Sequence, residues 1–267
     1  MLLTVSVGNS RTIFGIGKTD RPGDVFRLPS ERGLTSDGWM ERIESALAES
    51  GNTDPISAIV LASVVPVITE RLLVALPAVL NGVEPLVVDA RSPLGMTVRY
   101  DPPQSLGSDR FINAFAVWRR FLGPAHGFTR ALVIDCGTAT TFGLVTRDGL
   151  FEGGSILPGI GISREALLAR TAQLPDFELV DAPLIATNTR DALRAGIIHG
   201  FSAQIDGMIE RYSRAVGGER ELLLVGTGGA LSVVLDRIRP LHRVEAELPL
   251  IGLQAAYAVL TGSDETT

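Results

Sequence analysis

The chain has 267 residues, 45% of them hydrophobic and 20% charged, a balance that supports a sizeable buried core and excludes a disordered chain. Its formal net charge of -6, with arginines scattered among acids, excludes a surface built to neutralise a nucleic-acid backbone. The single cysteine, Cys136, excludes an intramolecular disulfide framework, and no apolar run reaches the roughly 20 residues of a membrane helix, so the expectation is a soluble, cytoplasmic protein.

Residues 2–7 and 11–17 are rich in β-branched side chains and meet at the polar turn Gly8-Asn9-Ser10, which predicts a hairpin. "DVFRLPS" reads as a third strand. From Gly38 to Glu49, the helical spacing of Trp39, Ile43 and Leu47 predicts an amphipathic helix ended by Gly51. "ISAIVLASV" has the unbroken apolar character of a strand buried on both faces. "ITERLLVAL" follows as a helix and "EPLVVD" as a strand.

Near Arg130 the programme restarts. "ALVIDCGTATTFGLV" reads strand, turn, strand, and "LFEGGSILPG" adds another. Helical patterns follow around 162–171 and 188–215, then the strand "ELLLVG", a helix after "TGGALSVVL", the strand "HRVEAE" and a last helix near 250–260. Strands alternating with helices predict a largely parallel sheet in each half. Laying Ser6-Val7-Gly8-Asn9-Ser10-Arg11-Thr12 on Asp135-Cys136-Gly137-Thr138-Ala139-Thr140-Thr141 matches the glycines and the final threonines. A duplicated α/β fold of two lobes, 1–122 and 123–267, is the economical reading, with a site expected in the cleft between them.

The turns carry the chemistry. Gly8-Asn9-Ser10 and Gly137-Thr138-Ala139-Thr140 place small residues where backbone N–H groups, hydroxyls and an amide can meet polyphosphate oxygens; singly, each also serves as a plain hairpin turn. Gly226-Thr227-Gly228-Gly229 fits either a nucleotide contact or a tight strand-to-helix connection. Phosphoryl transfer needs carboxylates, and Asp135 ends its strand among small residues. Asp109, in "LGSDRFINAF", opens a helix, where a carboxylate is equally a simple stabiliser of the helix start. Arg110 beside it offers a fork for an anionic substrate group, with Tyr100 and Asp101 upstream in the same linker. His126, His199 and His242 lack metal-ligand spacing.

In order, "VGNS", "YDPPQSLGSDR", "IDCGTATTF", "GGSILPGI", "TNT" and "GTGG" resemble the type III pantothenate kinases over essentially the whole chain. The resemblance implies two duplicated ribonuclease H-like lobes of the acetate and sugar kinase/Hsp70/actin fold, a homodimer, and ATP-dependent phosphorylation of pantothenate, the first step towards coenzyme A. It implies Asp109 as general base, with Tyr100, Gly107, Ser108, Arg110 and Thr189 contacting pantothenate. Arg110 would reach the carboxylate, and Thr189 would be presented across the dimer. Asp135 would hold a monovalent cation (K+ or NH4+). Thr138 and the first loop, Ser6, Val7, Gly8, Asn9, Ser10, Arg11, Thr12 and Ile13, would contact ATP, with Mg2+ at the phosphates.

The sequence departs from the family pattern where an aspartate normally stands at Ser6, and again at Gly143. A carboxylate at the first position holds magnesium near the transferring phosphate, whereas serine offers one neutral oxygen. Three readings follow: a kinase slowed by this loss, a paralogue acting on another small primary alcohol, or a non-catalytic nucleotide- or pantothenate-binding accessory protein.

Overall fold

The computed structural model describes residues 1–18, 22–123, 127–218 and 221–263; His126 and the end of the tail "TGSDETT" lie outside them. The chain folds as two compact units, Met1–Phe121 with Gly149–Phe151 and Glu247–Thr267, and Leu122–Asp148 with Glu152–Ala246.

The first unit is built on a five-stranded sheet. Its strands are β1 (Leu2–Val7), β2 (Arg11–Gly17), β3 (Asp24–Pro29), β4 (Ala58–Ser63) and β5 (Pro85–Val87), in the order β3-β2-β1-β4-β5. β2 runs antiparallel to both β1 and β3, and β4 and β5 continue parallel to β1. β1 is the central strand and is buried from end to end, its polar Thr4 and Ser6 included. Leu3, Val5 and Val7 turn to one face, where Trp39 and Ile43 of α1 (Ser36–Ser50) and Ile68, Leu72 and Leu76 of α2 (Pro66–Val79) complete the core. α1 begins where the Thr35 hydroxyl accepts a hydrogen bond from Gly38 N (3.2 Å) and stops at Gly51, whose φ of 69° ends the helix as the sequence predicts. α3 (Ser108–Phe121) and α6 (Leu248–Thr261) pack on each other and against the central strands. Leu250 of α6 meets the Thr4–Gly15 surface of the β1/β2 pair, on the face opposite the α1/α2 core. That packing ties the last helix of the chain to the first unit, although a chain-order reading assigns it to the second half.

The second unit repeats the plan. Its strands are β7 (Arg130–Cys136), β8 (Ala139–Thr146), β9 (Leu150–Pro158), β10 (Leu222–Thr227) and β11 (Arg243–Val244), in the order β9-β8-β7-β10-β11. β8 is antiparallel to β7, and β10 and β11 are parallel. Matching β7–β11 to β1–β5 reproduces one strand order twice, which is the duplication expected from the restart near Arg130. α4 (Ile160–Ala169) and α5 (Thr189–Ala215) cover one face through Ile160, Ile198, Phe201, Ile205 and Ile209. The opening residues of β9, Leu150 and Phe151, belong to the first unit and pair parallel with β6 (Thr97–Val98).

Three expectations change. Each sheet is mixed rather than largely parallel, because its first three strands follow one another with too few residues between them for a parallel crossover. After Gly228 the chain makes two 3-10 turns, Leu231–Val233 and Leu235–Arg237, in place of a helix; adjacent β-branched Val233 and Val234, and Pro240 soon after, leave no room for a longer one. The ungapped match of the two hairpins slips by one residue. Val7 pairs with Thr12 across a four-residue turn, whereas Cys136 pairs with Thr140 across three, so the structural counterpart of Thr12 is Thr140 and not Thr141. Both of these threonines are buried. Among the described residues no helix is long and apolar enough to cross a membrane.

Trp39 is fully buried in the first unit's core. Trp39→Ala is expected to cost about 3–5 kcal/mol of unfolding free energy. Urea titration followed by the fluorescence of Trp118, the remaining tryptophan, measures the loss.

Candidate active site

The site grows from the C-terminal ends of β1 and β4. Their pairing sets Ser6 beside Ala62 and Val7 beside Ser63, and Val64 N donates to Val7 O (3.0 Å). Ser63 is a hub. Its hydroxyl accepts from Thr69 Oγ1 (2.6 Å) and Val65 N (3.1 Å), and its carbonyl accepts from Ser108 Oγ (2.6 Å). The last bond pins the first residue of α3 to the end of β4. Asp109 and Arg110 are therefore displayed at the sheet edge from which the Gly8 turn also springs.

Asp109 is half-buried. Its Oδ1 accepts Arg110 N at 2.7 Å, and a Cβ on Gly107 would lie 2.7 Å from that oxygen, so the chain needs glycine there for the carboxylate to fold back. Burial raises the Asp109 pKa above the ordinary value of 3.8, and the hydrogen bond from Arg110 N and the Arg110 charge oppose the rise without cancelling it. The result is a carboxylate more basic than usual.

Arg110 is buried at 9% exposure, which is rare for a cation and demands partners. Nη1 donates to the Tyr100 hydroxyl at 2.8 Å. Cζ lies 5.4 Å from the Tyr100 ring centroid and 5.6 Å from that of Phe151, so the guanidinium contacts two aromatic rings. Nε and Nη2 are buried and make no hydrogen bond. Two unanswered charged donors lie on one planar group, an arrangement that can bind the two oxygens of an anion.

The first loop divides its residues between packing and display. Val7 belongs to the core, Ser6 and Thr12 are buried, and Thr12 Oγ1 meets Ser30 Oγ at 3.0 Å. Gly8 and Ile13 are half-buried, while Asn9, Ser10 and Arg11 stand exposed at the tip. Gly8 N donates to Arg11 O (3.0 Å), closing the turn.

In the second unit, Asp135 holds the position of Ser6, one residue from its strand's end, paired with Thr141 and Thr227. Gly228, at φ 92°, passes so close to the Asp135 carboxylate and the Cys136 backbone that a Cβ would collide with both. A Cβ on Gly159, just before α4, would strike the Gly137 and Thr138 carbonyls. The turns Gly137-Thr138, Pro158-Gly159 and Gly228-Gly229 thus gather around Asp135, beside the start of α4, which has no side-chain cap. The Thr140 hydroxyl, opposite Cys136, is buried without a partner. Cys136 is inert: burial first, and then the Asp135 charge, push its thiol up to about 12. Gly143 is buried in β8, opposite Val133.

Thr189 is exposed at the start of α5, where the Asn188 side chain caps the helix by accepting from Asp191 N at 3.0 Å. His199 contacts Ala182 O at 3.1 Å, and His242 Nδ1 accepts from Leu224 N at 2.9 Å; each serves local structure. Among the described residues no three His, Cys, Asp or Glu side chains gather to hold a metal.

The structure brings Tyr100, Gly107, Ser108, Asp109 and Arg110 together in the first unit, and Asp135 and Thr138 in the second. It also adds residues that the sequence reading passed over. Ser63 is a plain serine at a strand end, and Phe151 sits in a strand-forming run; neither carries a local signal.

A family model described as type III pantothenate kinase matches residues 2–211. The type III pantothenate kinase of Moorella thermoacetica is 37% identical over 259 residues, covering 96% of this chain and 98% of the relative. That of Thermobifida fusca is 35% identical over 260 residues with the same coverage, 96% and 98%. Among solved structures, the ethanolamine utilization protein EutJ of Carboxydothermus hydrogenoformans aligns with a TM-score of 0.55 at 12% identity, over 95% of this chain and 88% of that one. A ROK family glucokinase of Streptomyces griseus aligns at 0.53 and 14% identity, over 97% and 100%. The structural likenesses speak to the fold, which is that of the acetate and sugar kinase/Hsp70/actin group.

The raised Asp109 pKa fixes the sign of a stability effect. The folded chain holds this proton more tightly than the unfolded one, so the contribution to stability is full below the ordinary value of 3.8 and is lost as pH rises through the raised value. Asp109→Asn is therefore expected to be more stable than the parent at neutral pH. The advantage shrinks as pH falls towards about 4, read from urea midpoints at each pH.

Proposed function

The chain belongs to the type III pantothenate kinase family and phosphorylates pantothenate at the expense of ATP, opening coenzyme A biosynthesis, and we propose that Asp109 and Arg110 are the pair through which it does so. The observation that carries this reading is the buried Arg110, with two charged donors unanswered, one residue from a carboxylate of raised basicity.

Arg110 seats the pantothenate carboxylate at its Nε and Nη2, and Tyr100 sets the guanidinium's orientation through Nη1. Asp109 takes the proton of the primary hydroxyl as that oxygen bonds to the terminal phosphorus of ATP and the bond to the leaving diphosphate breaks. Burial helps in two ways. It raises the base's proton affinity, and it strengthens the attraction between the seated anion and the guanidinium. Gly107 and Ser108 place the base, the first by leaving room for the carboxylate and the second through Ser63.

We assign the turn of the first loop, Gly8 to Arg11, and Thr138 to the ATP phosphates. Backbone N–H groups and hydroxyls at small residues support that role. Magnesium, when bound, would supply charge neutralisation at the phosphates, held mainly by phosphate oxygens and waters. Asp135 is the residue of this chain that would hold a cation, K+ or NH4+ in our reading, within its ring of glycine turns. Ser6 contributes only a neutral oxygen at the equivalent position, so turnover is retained but slowed. A homodimer is supported by the exposed apolar side chains Leu184 (70%) and Ile185 (88%), which precede the exposed Thr189 on the same segment.

Asp109→Asn is expected to lower kcat by about a hundredfold or more while nucleotide binding persists, measured by phosphopantothenate formation and by calorimetry with ATP. Retention of full activity would sink the assignment of the base. Ser6→Asp is expected to raise kcat and to lower the magnesium concentration at half-maximal rate. An unchanged magnesium profile would show that the first strand does not serve the metal.

A further inference from the structure

Arg110 presents its donors in an ordered way. Nη1 is taken by the Tyr100 hydroxyl at 2.8 Å, while Nε and Nη2, which share the opposite edge of the guanidinium plane, are buried without partners. In a guanidinium, the Nε–H and Nη2–H bonds lie parallel, and that edge matches the two oxygens of a carboxylate. A long side chain keeps such an edge aimed only if its plane is held. Here the Phe151 and Tyr100 rings lie 5.6 and 5.4 Å from Cζ and 5.8 Å from each other, inclined at 60°.

Phe151 is fully buried and reaches Arg110 through backbone pairing: Arg99 N donates to Phe151 O (3.0 Å), and β6 runs parallel to the start of β9. The same pairing that brings Phe151 to Arg110 holds the chain just before Tyr100. The two rings are therefore set by one short ladder.

Resting on the reading of Arg110 as the carboxylate seat, we propose that Phe151 is a positioning residue that fixes the guanidinium plane together with Tyr100, so that the enzyme selects a planar two-oxygen acid group over other anions of equal charge. Phe151 touches neither ATP nor the reacting oxygen in this scheme. Its effect falls on pantothenate recognition.

The test is steady-state kinetics of Phe151→Leu and Phe151→Tyr with pantothenate and with its analogue bearing a sulfonate in place of the carboxylate. Phe151→Leu is expected to raise the pantothenate KM about fivefold to tenfold, with kcat and the ATP KM within about twofold, and to lower the preference for carboxylate over sulfonate. Phe151→Tyr keeps the ring and stays near the parent values. Should Phe151→Leu fail to fold, Tyr100→Phe, which keeps the ring and removes the Nη1 acceptor, is expected to lower the same preference. An unchanged KM and preference in these variants overturns the proposal. So does a loss shared equally by kcat, both KM values and both acids, since that is the signature of general damage. Arg110→Gln separates the two layers: if it leaves the pantothenate KM unchanged, the carboxylate seat itself is wrong, whereas a raised KM there with an indifferent Phe151→Leu removes Phe151 alone.

Discussion

The hydrogen bond from Ser108 Oγ to the Ser63 carbonyl ties the start of α3, with Asp109 and Arg110, to the end of β4. α3 could begin anywhere its sequence allows; this bond makes it begin against the end of β4. With the first turn fixed, Asp109 and Arg110 have no freedom to point elsewhere. Gly107 then lets the carboxylate fold back onto the helix start, and Thr69 braces Ser63 from the far side. For the role of base that we propose for Asp109, a helix start tied to a strand end holds the carboxylate in place better than a loop does.

The second constraint is electrostatic. A buried guanidinium with unanswered donors is costly on its own, of the order of several kcal/mol. The fold offsets part of that with two rings and one phenol oxygen, and in the proposed function the substrate carboxylate meets the remainder. Asp109 gives a partial counter-charge from the neighbouring position, yet its own burial outweighs what Arg110 returns, so its proton affinity stays high. In the role we propose, Arg110 receives an anion and Asp109 a proton, and the same burial sharpens both.

The duplication explains why Ser6 stands out. β1 and β7 occupy the same place in the same strand order, and their penultimate residues are Ser6 and Asp135. The second copy surrounds its carboxylate with glycine turns, Gly228 above all, whereas the first ends in a more open hairpin one residue longer. The two copies therefore differ: one carries a carboxylate among glycine turns, the other an uncharged oxygen beside an exposed loop tip. The extra residue also accounts for the misplaced threonine match, because a turn inserted between paired strands shifts every later residue by one while the pairing itself stays in register.

Much of this was legible in the order of residues. The run of Leu2 to Val7, the spacing of Trp39 and Ile43, Gly51 as a stop, and the restart near Arg130 each rest on local periodicity or on a turn residue, and these act over a few positions. So do the helix start at Ser108 and the motifs around Asp109 and Asp135, which place the family. Only the tertiary structure joined α6 to the first unit, turned the segment after Gly228 into short 3-10 turns, and carried Phe151 to Arg110. Those outcomes depend on strand pairings and helix packing between residues dozens of positions apart, and no local pattern records which distant partner a buried ring or a final helix will meet.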